Sequence, residues 1–257
     1  MRNLVRSIAL AGLALCAASA NAGWSVSADV EQFKWQEATS PAVTEKGPRW
    51  GFGLEYEQLR PAGWQFAYRG QFRYGTVDYT GSFLFGGGAA TARTEYTGFV
   101  NEAQGIYRFA DSPFGLELVT GLGWEFWERN ILPDQKEHYD VVFLRLGVNL
   151  DTRAARGWFG GGGVKLPFYV GENAHLNELG FDQNPRLQPK GEISLYVQLG
   201  YRFTPQWSAI GYYDSYRFGE SKPVATTTPA FPGSTVLVFQ PASNIDTYGL
   251  KIRYSFQ

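Results

Sequence analysis

The chain has 257 residues, and its 23 Lys and Arg against 24 Asp and Glu leave a formal charge of −1. That balance excludes the clustered basic excess of a nucleic-acid binder. With one cysteine, Cys16, it also excludes a disulfide framework or a cysteine-based zinc site.

Residues 1–22 read as a secretory signal peptide. Arg2 and Arg6 form a positive start, Ile8 to Ala18 an apolar run, and Ala20-Asn21-Ala22 a small-x-small cleavage site. The run is shorter than the ~20 residues of a membrane-spanning helix. Leu15 before Cys16 argues against a lipoprotein signal, which places a small residue there. Removal of residues 1–22 takes away Cys16, Arg2 and Arg6, leaving 21 basic and 24 acidic residues, a balance of −3.

From residue 24 onward the chain alternates, which predicts strands with one apolar and one polar face. The first, 24–36, runs Trp24, Val26, Ala28, Val30 and then changes parity to Phe33 and Trp35, which predicts a bulge. Residues 49–59 set Trp50, Phe52, Leu54 and Tyr56 against Gly51, Gly53, Glu55 and Glu57. Residues 64–79 set Trp64, Phe66, Tyr68, Phe72 and Tyr74 against Gln65, Ala67, Arg69, Gln71 and Arg73. Residues 94–109 alternate in their second half, with Glu102, Gln104 and Arg108 on the polar side. Residues 114–129 place Glu117, Gly121, Gly123 and Glu125 opposite Phe114, Leu116, Leu118, Leu122, Trp124 and Phe126.

The pattern continues through 137–150, where Val142, Leu144, Leu146, Val148 and Leu150 flank Arg145, Gly147 and Asn149. Residues 158–170 set Trp158, Val164, Leu166, Phe168 and Val170 against Gly161, Gly163 and Lys165. Residues 192–203 set Ile193, Leu195, Val197, Leu199, Tyr201 and Phe203 against Glu192, Ser194, Gln198 and Arg202. Residues 207–218 are less regular, with Ile210 and Tyr212 on the polar side. The last segment, 245–257, sets Tyr248, Leu250, Ile252, Tyr254 and Phe256 against Thr247, Gly249, Lys251, Arg253 and Ser255.

Four short connections (Arg60–Gly63, Ala110–Pro113, Asp151–Gly157 and Thr204–Gln206) alternate with longer ones near 37–48, 80–93, 130–136, 171–190 and 219–244. Of 13 prolines, twelve fall in these connections and only Pro167 in a strand. The alternation predicts an all-β protein, a closed antiparallel transmembrane β-barrel of about ten strands (eight to twelve) with both termini periplasmic. Closure follows because hydrocarbon tolerates no unpaired backbone group. Trp24, Trp64, Phe114, Trp158 and Trp207 each open a strand after a periplasmic end and predict an aromatic girdle at one interface.

The ending Tyr248-x-Leu250-x-Ile252-x-Tyr254-x-Phe256 resembles the C-terminal signature of Gram-negative outer-membrane barrels, although those usually end on the aromatic and here Gln257 follows. The resemblance implies bacterial outer-membrane localisation. It also implies contact with lipid and lipopolysaccharide, and handling by periplasmic chaperones and the outer-membrane insertion machinery that reads this strand.

Ten strands ~4.8 Å apart and tilted ~40° enclose a radius of roughly 10 Å, which side chains largely fill. The expected lumen bases are Arg69, Arg73, Arg108, Arg145, Lys165, Arg202, Lys251 and Arg253. Their expected partners are Glu55, Glu57, Glu102, Glu117, Glu125 and Glu192. Such a set forms a charged network in a filled core, or lines a narrow anion-preferring path opened by Gly121, Gly123, Gly161 and Gly163. Either way the chain reads as a structural, adhesive or narrow-channel barrel with no cofactor, no metal cluster and an unspecified outer ligand.

The alternative from another class is a surface hydrolase, a protease or lipid A hydrolase, at the extracellular rim. His138 and Asp140 share a face in Glu137-His138-Tyr139-Asp140, and Asp78 lies near another strand's outer end. The arrangement resembles that of the ten-stranded omptin proteases, but the facing aspartate pair is missing, since Tyr79 and Thr80 follow Asp78. Gly86-Gly87-Gly88 and Gly160 to Gly163 are not phosphate loops, because no Lys-Ser/Thr follows. Ser234 to Phe239 reads as an extension of the last hairpin, or as an adhesive edge.

Overall fold

A computed structural model describes residues 22–82, 88–131, 135–229 and 232–256. The signal-peptide reading, Gly86 and Gly87 fall outside the described residues, apart from Ala22 at the start of the first strand. Seven long strands follow in chain order: β1 (Ala22–Glu37), β2 (Val43–Gln58), β3 (Gly63–Ser82), β4 (Ala89–Arg108), β5 (Leu116–Ile131), β6 (Gln135–Leu150) and β7 (Gly157–Asn173). A 3-10 turn (Leu176–Leu179) and two short strands, β8 (Arg186–Leu187) and β9 (Lys190–Glu192), precede β10 (Ser194–Arg202) and β11 (Trp207–Gly219). The hairpin β12 (Val224–Thr227) and β13 (Thr235–Val238) leads to β14 (Ser243–Ser255).

Each of β1 to β7 pairs antiparallel with the next, β7 pairs β10, β10 pairs β11, β11 pairs β14, and β14 returns to β1. This is a closed ten-stranded barrel. Four short connections lie at the end that carries both chain termini, here the terminal end, and the longer segments lie at the opposite, loop end.

The parity change in β1 is not a bulge. Ser25 to Glu37 pair with Ser255 to Ser243, and Ala22 to Glu37 with Gln58 to Val43, both without a slip. Ser25, Ser27, Asp29, Glu31, Phe33, Trp35 and Glu37 all face inward. What changes is polarity. Up to the level of Val30, Trp50, Tyr74, Phe99 and Phe126, apolar side chains face outward and charges inward. Beyond it the outward positions carry Lys34, Lys46, Asp78 and Glu128, while the interior turns apolar. Phe33, Trp35, Tyr96, Trp127, Tyr139, Phe143, Tyr216 and Phe218 meet there in one buried cluster. The described residues of the loops expected at 37–48, 80–93 and 130–136 are therefore mostly strand, because pairing continues after outward apolar alternation stops. Pro48 joins Pro167 as a second proline within a strand, and the β2–β3 ladder is interrupted between Lys46 and Trp50 around it.

Bulges occur where the sequence pattern had appeared regular. The β6–β7 register shifts between Val142 and Phe143, beside Pro167, so Val170 faces inward and is buried. On the other side of the seam, β9 and β10 both pair with β11, but in registers one residue apart. That slip turns Glu192 to the outer surface rather than into the lumen, because one residue of shift reverses a strand's faces.

Candidate functional site

The lumen is charged and largely filled. Near the terminal end Arg108 pairs with Glu117 at 2.7 Å, Arg153 reaches both Glu57 and Glu117, and Arg202 pairs with Asp151 at 2.8 Å. Glu55 sits between Lys251 at 3.5 Å and Arg253 at 3.4 Å. At mid-barrel Arg145 pairs with Glu102 at 2.8 Å, Lys165 with Asp214 at 2.7 Å, and Arg73 with Glu125 at 3.0 Å. Arg49 and Arg73 both approach Glu31, and the Tyr212 hydroxyl donates to Asp29 and Glu31. Most of these buried charges thus have a counter-charge, without which their desolvation would cost several kcal/mol, while Asp29 accepts hydrogen bonds from Gln71 and Tyr212.

Of the lumen residues read from sequence, all but Glu192 lie inside the barrel. Arg69 stands in register between Glu55 and Glu102, whose carboxylates are held by other bases. Sequence reading missed Asp29, Glu31, Arg49 and Asp214. Asp29 was legible, since it alternates with Ala28 and Val30. Asp214 lies two residues beyond Tyr212, in the strand whose faces were least distinct.

Among the described residues, cavities of about 20, 90 and 460 Å³ lie between the strands, that of 460 Å³ at the terminal end beside Gly23, Arg153 and Ser255. At Gly123 and Gly249 the room is occupied by rings, whereas Gly121 faces Glu102 and Gly161 faces Asn149. A Cβ on Gly123 would stand 2.1 Å from Phe143 and one on Gly249 2.2 Å from Tyr212, so these positions admit only glycine beside their aromatic neighbours.

Beyond the apolar cluster, Arg129 is surrounded by Glu137 at 2.5 Å, Glu45 at 2.9 Å and Glu37 at 3.5 Å. Tyr96 donates to Glu45 and Tyr139 to Glu137. Glu172 is buried in the same region without an ion pair among the described residues. Burial, reinforced by the charges of Glu137 and Glu37, pushes its carboxyl well above the usual range. Burial likewise raises Glu37, with Arg129 opposing.

The loop end is covered. Ala174, Leu176 and Phe181 form a second apolar cluster against Leu179, Val236 and Val238, locking the segment after β7 to the β12–β13 hairpin. Asp182 donates its backbone N–H to Thr227, and Gln240 reaches down to Glu37.

The candidate hydrolase residues do not converge. His138 lies on the outer wall, and Asp140 is bound to Arg186 at 2.6 Å. Asp78 is exposed on β3, opposite Lys46 and Arg93. His138 instead joins a four-residue chain. Its Nε2 is 2.9 Å from Glu128 Oε2, its Nδ1 is 3.1 Å from His175 Nε2, and His175 Nδ1 is 3.0 Å from Glu178 Oε1. Among the described residues no group of three or more His, Cys, Asp or Glu is arranged to hold a metal ion.

Four of the five expected girdle residues take part in a repeated contact. Trp24, Trp64, Trp158 and Trp207 face Tyr56, Tyr107, Tyr201 and Tyr254 directly across a strand pair, with ring centroids 4.9–5.3 Å apart. Phe114 is exposed in the turn before β5. Tyr248, Leu250, Ile252 and Phe256 of the terminal segment are exposed on the outer face, and Tyr254 is half-buried beside Trp207.

No family model matches the sequence, and no curated protein matches it. Among solved structures the barrel is similar to the outer membrane protease OmpT from Escherichia coli, at 12% identity over 92% of this chain and 97% of that one, with a TM-score of 0.53. Others include the translocator domain of the autotransporter NalP from Neisseria meningitidis (10% identity, 99% and 95% covered, TM-score 0.44). The attachment invasion locus protein Ail of Yersinia pestis also matches (10%, 92% and 99%, TM-score 0.34). The chain has the fold of a small bacterial outer-membrane β-barrel.

Proposed function

We propose that this protein is a sealed outer-membrane barrel, exported by residues 1–22, with its termini in the periplasm and its covered loop end presented outside the cell as a rigid contact surface. The carrying observation is the inversion along the strands. A belt of outward apolar side chains surrounds a charged interior, and beyond it an aromatic cluster fills the bore. An apolar exterior with paired charges inside suits hydrocarbon, and a polar exterior with an apolar core suits water.

Lipid and lipopolysaccharide around the belt, periplasmic chaperones, and an insertion machinery reading the last strand are the partners this placement requires. The exposed Leu237 on β13 and Phe239 just after it offer an apolar contact at the outermost hairpin, in keeping with a structural or adhesive role.

Planar-bilayer recording tests the sealed bore. The expected outcome is an unchanged baseline after insertion. Steady single-channel steps that shrink when Arg69 or Arg145 is neutralised would overturn it in favour of an anion-preferring channel.

A further inference from the structure

We propose that His138 and His175, the only two histidines of the chain, form a two-imidazole site for a divalent first-row transition-metal ion of the zinc, nickel or copper type. The site lies on the outer wall at the loop end, away from the lumen, and is independent of how the bore is read.

Glu128 accepts from the far nitrogen of one ring and Glu178 from the far nitrogen of the other. An imidazole that donates from one nitrogen presents a lone pair at the other. The inner nitrogens, His138 Nδ1 and His175 Nε2, therefore bring two lone pairs to within 3.1 Å of each other. Two lone pairs repel at that distance unless a cation lies between them, and a single proton or a metal ion meets the need.

A metal fits the geometry. Nitrogens bound at ~2.0–2.1 Å to a tetrahedral ion stand roughly 3.3 Å apart, a few tenths of an ångström from the observed separation. The outer carboxylates complete the carboxylate–histidine–metal arrangement that fixes ring orientation and strengthens the ligand nitrogen.

The rings are held from several sides. They meet edge to face at 4.7 Å, and Phe126 packs against His138. Asn173 pairs with His138 across β6–β7 and accepts the His175 backbone N–H through its side chain. Lys136 neutralises Glu128. Both histidine side chains remain partly exposed, at 27% and 18%, so an ion and its water ligands have access. The protein supplies two donors and water the rest, so the site tethers the turn after β7 to β6 rather than building a catalytic centre.

The test is zinc titration by calorimetry on the full chain folded in detergent and free of any histidine tag, with heat-modifiable gel migration confirming the barrel in each variant. One zinc per chain is expected. His175→Gln, in the turn outside the barrel wall, should weaken binding at least ~10-fold, and Glu178→Gln about tenfold, as loss of an orienting carboxylate does. Binding that survives in the His138→Gln/His175→Gln double variant, or an absence of zinc binding in the unmodified chain, would overturn the assignment.

Discussion

Glu172 lies inside the barrel directly across the β6–β7 ladder from Tyr139, and its Oε2 has no hydrogen-bond partner among the described residues. A buried carboxylate in that position is tolerated best when it carries a proton. Because folding raises its pKa, the folded state keeps that proton after the unfolded chain has lost it. Stability at the loop end is therefore complete below the ordinary carboxylate value of 4.5 and declines as pH rises towards the raised value. Glu172→Gln removes the share of the decline that Glu172 contributes, leaving that of Glu37, and each unit of the upward displacement is worth about 1.4 kcal/mol. Melting in detergent from pH 4 to 8 checks this. Equal pH dependence in variant and parent would refute it.

Lys165 and Asp214 form a mid-barrel pair, and the Lys165 ammonium also lies over the Tyr216 ring at 3.4 Å. Lys165→Met leaves Asp214 with Arg145 at 4.0 Å as its remaining ion pair among the described residues and should cost ~3–5 kcal/mol. Adding Asp214→Asn should recover part of that loss. Urea titration of folding into detergent micelles measures both, and a double variant no better than the single would contradict the pairing.

The tryptophans divide by surroundings. Trp158 and Trp207 are exposed on the belt side, whereas Trp35 and Trp127 lie within the apolar cluster. In vesicles of brominated lipid, single-tryptophan variants keeping Trp158 or Trp207 should lose most of their fluorescence, and those keeping Trp35 or Trp127 should lose little. Quenching that does not distinguish the two sets would mean that the belt is misplaced.

Orientation is tested by labelling. Under the proposed export, which removes Cys16 with residues 1–22, a cysteine at Ser234 in the outer hairpin should react with an impermeant maleimide on intact cells, and one at Asp111 only after lysis. Both positions are exposed. The reverse pattern would invert the proposed placement.

How much could be read from the chain differs by region. Through the belt, period-two alternation placed Arg73, Arg145, Lys165 and Glu125 on the inner face, since a strand's faces follow from residue parity alone. Phe33 and Trp35 were misread as a bulge because the polarity of the pattern reverses where the wall leaves the apolar belt. Parity itself does not change, and only the registers of β14 and β2 reveal it.

Residue order by itself determined a closed barrel of about ten strands, the short connections at one end and the inward parity of most charges in the belt, because these follow from local periodicity and from the need to pair every backbone group. Tertiary structure decided what local periodicity cannot carry. A one-residue slip beside β11 turned Glu192 outward, Asp140 was taken by Arg186, and His138 met His175 across 37 residues of chain. Such contacts depend on register and on side chains arriving from different strands, and neither is written into any one segment.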